Sequence, residues 1–317
     1  MQLLVSMGIR PDGQVSAPLA ACLRCVDWPS GRVVRDFPWE SPVEVMSSAR
    51  ADQEFTSASL LIQDVLLQPT HTEVLWICPA EWKVIHRLSH PLMHNVHSAV
   101  PVGRGVLVTC AGSDSVLEFD GNDQLMAHHW LRDGDFRATY GAVEDFRTLH
   151  HDALKPHSHH PNHAVRVNAC TWVTCFETAS AICLEDGRQI RFPEGIPHDG
   201  RLVDGLLWFT VVTGHVIAVD PDTLERRIHI DLNALAPTDR MLGWCRGLDI
   251  VGDRLFVGMT MLRSTGHREV LRWLARGRAG EKLPTRILEI DLSKSEVVCE
   301  REVGNAAGGT IYAINAR

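Results

Sequence analysis

No stretch of this 317-residue chain approaches the roughly 20 consecutive apolar residues that a membrane-spanning helix needs. The opening MQLLVSMGIRPDG has no basic segment and too short an apolar run for a secretion signal. Lysine and arginine nowhere form a run, and 31 of them against 39 acidic residues leave a formal charge of −8. These absences predict a soluble, cytoplasmic protein that engages neither membrane nor nucleic acid, because recognition of a phosphate backbone needs concentrated basic surface. Also missing are a G-x-S-x-G elbow, a Walker lysine loop and a G-x-G-x-x-G turn after a strand. Serine-hydrolase, P-loop and dinucleotide-binding chemistries therefore have no anchor here.

The nine cysteines are an odd number, and Cys78, Cys110, Cys170, Cys175 and Cys183 sit inside apolar strand-like runs. Such thiols read as small core side chains rather than disulfide partners. Cys22 and Cys25 form a single CLRC, but on a strand positions i and i+3 face opposite sides, and no second pair completes a four-thiolate site.

What the chain does have is repetition. MHNVHSAVPVGRGVLVTC, HPNHAVRVNACTWVTCFE and IPHDGRLVDGLLWFTVVTG each place a histidine before a short apolar segment, a Gly or Asn turn, and a more apolar strand. One supersecondary unit written several times is the mark of a propeller, whose equivalent positions surround one axis. Units open near residue 1, Ser57, His94, residue 160, His198 and Trp244, with turns such as PDGQ and DPDT between strands. The first unit lacks an opening strand, while Gly308 to Ile314 is a strand without a unit. Pairing it with Leu3 to Gly8 closes the ring and removes two exposed sheet edges. The predicted fold is an all-β, six-bladed β-propeller with terminal strand closure, in one domain spanning 1–317. Five or seven blades stay open, because the first two units are poorly marked. Two segments break the rhythm: a long polar loop at 132–159, read as a functional loop over one face, and a helical insertion at 263–283, read as a surface helix or a lid.

Many of the 17 histidines fall in 90–163, and H-x-x-H occurs at two equivalent positions, His94/His97 and His160/His163. Aligning the opening strands puts His97, His163, His198 and Arg246 in one column, with Gly309 and Ser57 from the first two blades. Three neutral imidazoles at an axis form a metal site with open positions, suited to Fe(II), Zn(II) or Cu(II) and not to Mg(II) or Ca(II). The expectation is a mononuclear ion, Fe(II) favoured, on His97, His163 and His198, with Arg246 clamping a small anionic substrate and His94 or His160 as base. The reaction is then oxidation; metal-assisted elimination or hydrolysis, or a non-catalytic ligand- or protein-binding propeller, are the alternatives. His128, His129, His150, His151, His157 and His159 read as loop or surface residues. Cys245 reads as a buried thiol or a reactive one beside Arg246, and Tyr140, one of two tyrosines, as a packing residue or a cover for the site.

The blades resemble those of six-bladed propellers of the NHL, SMP-30 and streptogramin-lyase type. The HPNH, PHDG and GWCRG segments resemble a bacterial propeller family of no established reaction, over about residues 90–262. SMP-30-like lactonases hold their metal largely with Glu, Asn and Asp, a pattern this sequence does not show. In having histidines at a propeller axis, the chain also resembles carotenoid-cleaving oxygenases, whose axial iron is held by histidines.

Overall fold

A computed structural model describes residues 1–10, 18–45, 53–61, 63–150, 152–235, 239–262, 271, 273–274, 280–304 and 308–317. Six four-stranded antiparallel sheets follow one another around an axis. Blade one is β24-β1-β2-β3, built from Gln2–Ile9 (β1), Ala20–Asp27 (β2) and Arg32–Trp39 (β3) with Gly309–Ala316 (β24) as its innermost strand. Blade two comprises Ser59–Leu60 (β4), Leu66–Pro69 (β5), Val74–Cys78 (β6) and Lys83–Leu88 (β7). Blade three comprises Val96–Val102 (β8), Gly105–Cys110 (β9), Ser115–Phe119 (β10) and Leu125–Trp130 (β11). Pro161–Val167 (β12), Cys170–Cys175 (β13), Ser180–Cys183 (β14) and Gln189–Arg191 (β15) form blade four. Blade five is Arg201–Val203 (β16), Leu206–Val211 (β17), His215–Val219 (β18) and Arg226–Asp231 (β19). Blade six is Trp244–Val251 (β20), Arg254–Thr260 (β21), Arg286–Asp291 (β22) and Glu296–Glu302 (β23).

The predicted closure is present: β24 pairs with β1 from Leu3↔Ala316 to Ile9↔Gly309. Residues 2 and 317 exchange backbone hydrogen bonds of 3.0 and 2.8 Å.

Why these sequences make blades follows from what each strand must cover. Second strands such as GVLVTC and RLFVGMT are buried on both faces, because a blade packs against a neighbour on each side. Alternation then divides the labour: Leu3, Val5 and Met7 pack toward blade six with Phe256 and Ile287, whereas Leu4 packs toward blade two with Leu66 and Leu75. Each blade interface carries its own apolar cluster. The outermost strands are charged and largely exposed, as in KVIHRL, RRIHID and EVVCERE, which discourages pairing with another chain at those edges.

Two interruptions leave the pattern. The 132–159 loop carries a short helix, Phe136–Tyr140 (α1), N-capped by Asp135, whose side chain accepts from Ala138 N at 2.7 Å. Tyr140 stacks with Trp130, Phe136 and Phe146 and accepts from Arg132 at 2.9 Å, so it packs the outer side of blade three and is not a cover for the axis. Most of 263–283 lies outside the described residues; Leu271, Trp273 and Leu274 are helical, with Trp273 buried in the cluster between blades five and six. The lid reading falls on undescribed residues. Among the described residues no helix is long and apolar enough to cross a membrane.

Candidate functional site

Every innermost strand carries one residue too many. The register against the next strand slips at His97 in β8, at Asn162 in β12, at Arg246–Gly247 in β20 and at Tyr312 in β24. Blades two and five show the same surplus: Thr56 to Ser59 spans the length of Leu67 to Pro69, and Pro197 to Arg201 that of Trp208 to Val211. A β-bulge releases its extra residue from the alternation and re-aims its side chain. Here the released side chains meet at the axis.

His97 lies at ring-centroid distances of 6.5 Å from His198 and 6.4 Å from Tyr312, and His198 is 6.3 Å from Tyr312. Serine 57 donates its hydroxyl to the Tyr312 carbonyl at 3.1 Å. From the end of the 132–159 loop, His160 stands edge-on to His97 at 4.8 Å, with His157 behind it at 5.0 Å. His160 adopts φ = 51° and its backbone N–H, with those of Ser158 and His159, is held by the Asp114 carboxylate, so one buried acid fixes the loop's entry to the site.

Arg246 lies over the faces of Tyr312 and Trp244, at 4.5 and 5.0 Å. It is only 6% exposed, yet it forms no hydrogen bond and no ion pair with any described residue, and its Nε is buried without a partner. Its aim is set by Gly247, whose N–H donates to Asp199 Oδ2 at 2.9 Å. Gly247 has φ = +79°, and a Cβ there would lie 3.2 Å from the Ala313 backbone, so the position suits glycine alone. Burial pushes the Asp199 carboxyl up, against the hydrogen bonds from Thr210 and Gly247 and the charges of Arg201 and Arg246. Tyr312 is oriented by donating to Glu54 at 2.6 Å; His71 approaches the same carboxylate oxygen at 4.0 Å and bonds Asn95 at 3.1 Å.

Burial, joined by the charges of neighbouring histidines and Arg246, holds His97 and His198 well below the usual imidazole range. His160 is pushed down to about 3 by burial and then by His157. All three are neutral at pH 7, able to accept a proton or ligate an ion. Neither ring nitrogen of His198, nor Nδ1 of His97, has a hydrogen-bond partner among the described residues.

The structure thus brings together His97, His160, His198 and Arg246 and leaves His94 and His163 out of the ring. Asn162 occupies the bulge in blade four, so His163 is paired opposite Thr174, its Nδ1 facing Gly200 rather than the axis. Tyr312 stands where sequence alignment put Gly309. His94 is fully buried, bonded through Nε2 to the His150 carbonyl at 3.2 Å with Gly112 pressed against its ring, which is a strut for the loop. His157, read from sequence as a loop residue, is half-buried beside His160 with both ring nitrogens unpartnered. His128 lies on the outermost strand of blade three, bonded to Ser115, as expected; His151 lies outside the described residues. Cys245 is a buried thiol whose pKa burial drives far up. As a set of ion donors, the axial histidines are not drawn tight: among the described residues no three of their nitrogens lie within 4.8 Å of one another.

The buried neutral imidazoles make a measurable prediction. His163, like His160, sits near 3 in the folded chain, by burial and then Arg201, against 6.5 unfolded. Between those values the unfolded chain holds more protons, so stability is full above about pH 6.5 and falls as pH drops toward the folded pKa, by about 1.4 kcal/mol per pH unit for each such group. His163→Gln should flatten the dependence of urea-unfolding free energy on pH between 6 and 3.5 by about one proton's worth. An unchanged slope would show that His163 is not buried neutral.

No family model and no curated protein matches the sequence. Solved structures do. A Bacteroides caccae protein of unknown function is similar over 99% of this chain and 97% of its own, at TM-score 0.62 and 14% identity. A chain of a nidogen/laminin complex matches at TM-score 0.58 and 9% identity over 99% and 97%, and virginiamycin B lyase from Staphylococcus aureus at 0.52 and 10% over 97% and 89%. At such identities the likeness speaks for architecture alone, and on that ground, with the six closed sheets, the chain is a six-bladed β-propeller.

Proposed function

We propose that the axial site binds a small molecule bearing a carboxylate or phosphate and carries out base-assisted elimination on it. The observation that carries this is Arg246: a guanidinium taken out of water with no counter-charge bonded to it is costly, and a ligand anion supplies what the protein withholds. The flanking faces of Trp244 and Tyr312, with Phe176 6.3 Å from Trp244, favour an anion attached to a flat apolar body. A neutral His97 or His198 then takes a proton from the carbon next to the anion. The C–H electron pair forms the new double bond, and the leaving group departs with its own electrons. The lyase that shares the fold lends this class a precedent and nothing finer.

Oxidation at an Fe(II) centre on His97, His163 and His198 loses its third ligand to the bulge at Asn162. An ion-assisted form of the reaction would use His97, His160 and His198, three imidazole donors that suit a transition metal once their rings turn inward. It would polarise the substrate oxygen beside Arg246.

Calorimetric titration with aryl carboxylates and aryl phosphates, on protein of measured metal content, tests the reading. Wild type should bind at least one class with affinity that falls as salt rises, and Arg246→Lys should weaken it about tenfold or more, because a planar fork becomes a point charge. Equal affinity in both proteins would remove Arg246 from the site. Binding that requires added metal, lost in His198→Gln, would select the ion-assisted form.

A further inference from the structure

Blade four holds a second group of side chains that the axial reaction does not use. Cys170 opens β13, Cys183 ends β14 and Glu185 follows in the turn to β15, and one donor atom of each lies within 4.8 Å of the other two. Among the described residues this is the one such group of His, Cys, Asp and Glu. We propose that Cys170, Cys183 and Glu185 form a binding site for a thiophilic divalent ion of the zinc class, with Asp186 or a water as fourth ligand.

The pairing of the strands builds the group. Trp172 stands opposite Cys183, so carrying the same register onward sets Cys170 opposite Glu185, and the period of two puts both thiols and the carboxylate on one face of the sheet. In a tetrahedral site with Zn–S near 2.3 Å, two sulfurs stand about 3.8 Å apart. Donors already within 4.8 Å reach that geometry by movements of about 1 Å.

The surroundings hold the donors as an outer sphere holds ligands. Thr171 donates its N–H to Glu185 Oε2 at 2.6 Å and its hydroxyl to Oε1 at 2.8 Å. Arg188 donates to Cys170 Sγ at 3.3 Å and to Asp186 Oδ2 at 2.7 Å, bringing that carboxylate to 4.0 Å from the sulfur. Arg188 itself is tied to the carbonyls of Pro221 and Asp222 in the next blade and stacks over Trp172. Two thiolates and two carboxylates against one guanidinium leave room for a doubly charged cation, and the sulfur donors select Zn(II)-like ions over Mg(II) or Ca(II). An ion here clips the start of β13 to the β14–β15 turn.

Cobalt(II) is the probe, because a thiolate ligand announces itself by charge-transfer absorption that histidine and carboxylate do not give. Reduced wild-type protein should take up one Co(II) with that absorption, bleached by Zn(II). Cys170→Ser, at a half-buried position, and Glu185→Gln, at an exposed one, should each lose or strongly weaken the band while the far-ultraviolet circular dichroism stays that of the wild type. His198→Gln should keep it, which separates this site from the axis. Absence of the band in the reduced wild type, or its persistence in Cys170→Ser, would overturn the assignment.

Discussion

Arg246→Met is expected to raise the melting temperature of the ligand-free protein while abolishing binding at the axis. The substitution replaces a guanidinium that is 6% exposed and bonded to no described residue by an apolar side chain of similar length, between the faces of Trp244 and Tyr312. Removing such a desolvated charge should stabilise the fold by about 1–2 kcal/mol. The same change deletes the guanidinium that would meet the anion, and a loss of roughly 30-fold or more in affinity follows from the 2–5 kcal/mol that truncating a buried charged partner costs. Opposite signs for stability and binding are the mark of a residue kept for function. A variant that melted lower than the wild type would mean that Arg246 holds the propeller together.

Deletion of residues 308–317 should abolish cooperative folding. The segment supplies all of β24, and Ile311 and Ile314 are fully buried, Tyr312 and Ala313 nearly so. Burial of side chains of this size is worth about 1.5–3 kcal/mol each, so the loss reaches a large part of the 5–15 kcal/mol that keeps a domain folded. It also bares an edge of β1. Ile314→Ala alone, which preserves the backbone ladder, should cost about 2–5 kcal/mol. A truncated chain with an unchanged melting temperature would refute the closure.

The blades were legible in the sequence because alternation and turn residues are local. DPDT marks a chain reversal, LLWFTV and RLFVGMT mark strands covered on both sides, and the missing first strand could be found by matching the orphan at the other end. The site was legible in part. His97, His198 and Arg246 were placed in the ring because aligning the opening strands of the repeats sets them in one column, and His160 was named as a candidate base beside it. Tyr312 was missed because the column was set on Gly309, three residues too early in β24; Asn162 was missed in favour of its neighbour His163 for a physical reason. A bulge adds one residue, and one residue exchanges the faces of a strand. The bulge arises from pairing with the next strand, which leaves no local signature in HPNH or GGTIYAI. Glu54, His71 and His157 were missed because folding, and no motif, brings them near the axis.

Tyr312 belongs at once to the strand that shuts the ring and to the wall of the site. A molecule gripping Arg246 of blade six, Tyr312 of blade one and His97 of blade three would therefore act as a crossbar on the latch. Its binding energy would be drawn on whenever β24 tried to peel away. Amide protons of β24, the strand whose release opens the circle, would then exchange more slowly in proportion to occupancy, while those of the outer strands β7 and β19 would keep their own pace. The propeller's fastening would thus report on whether the site is filled.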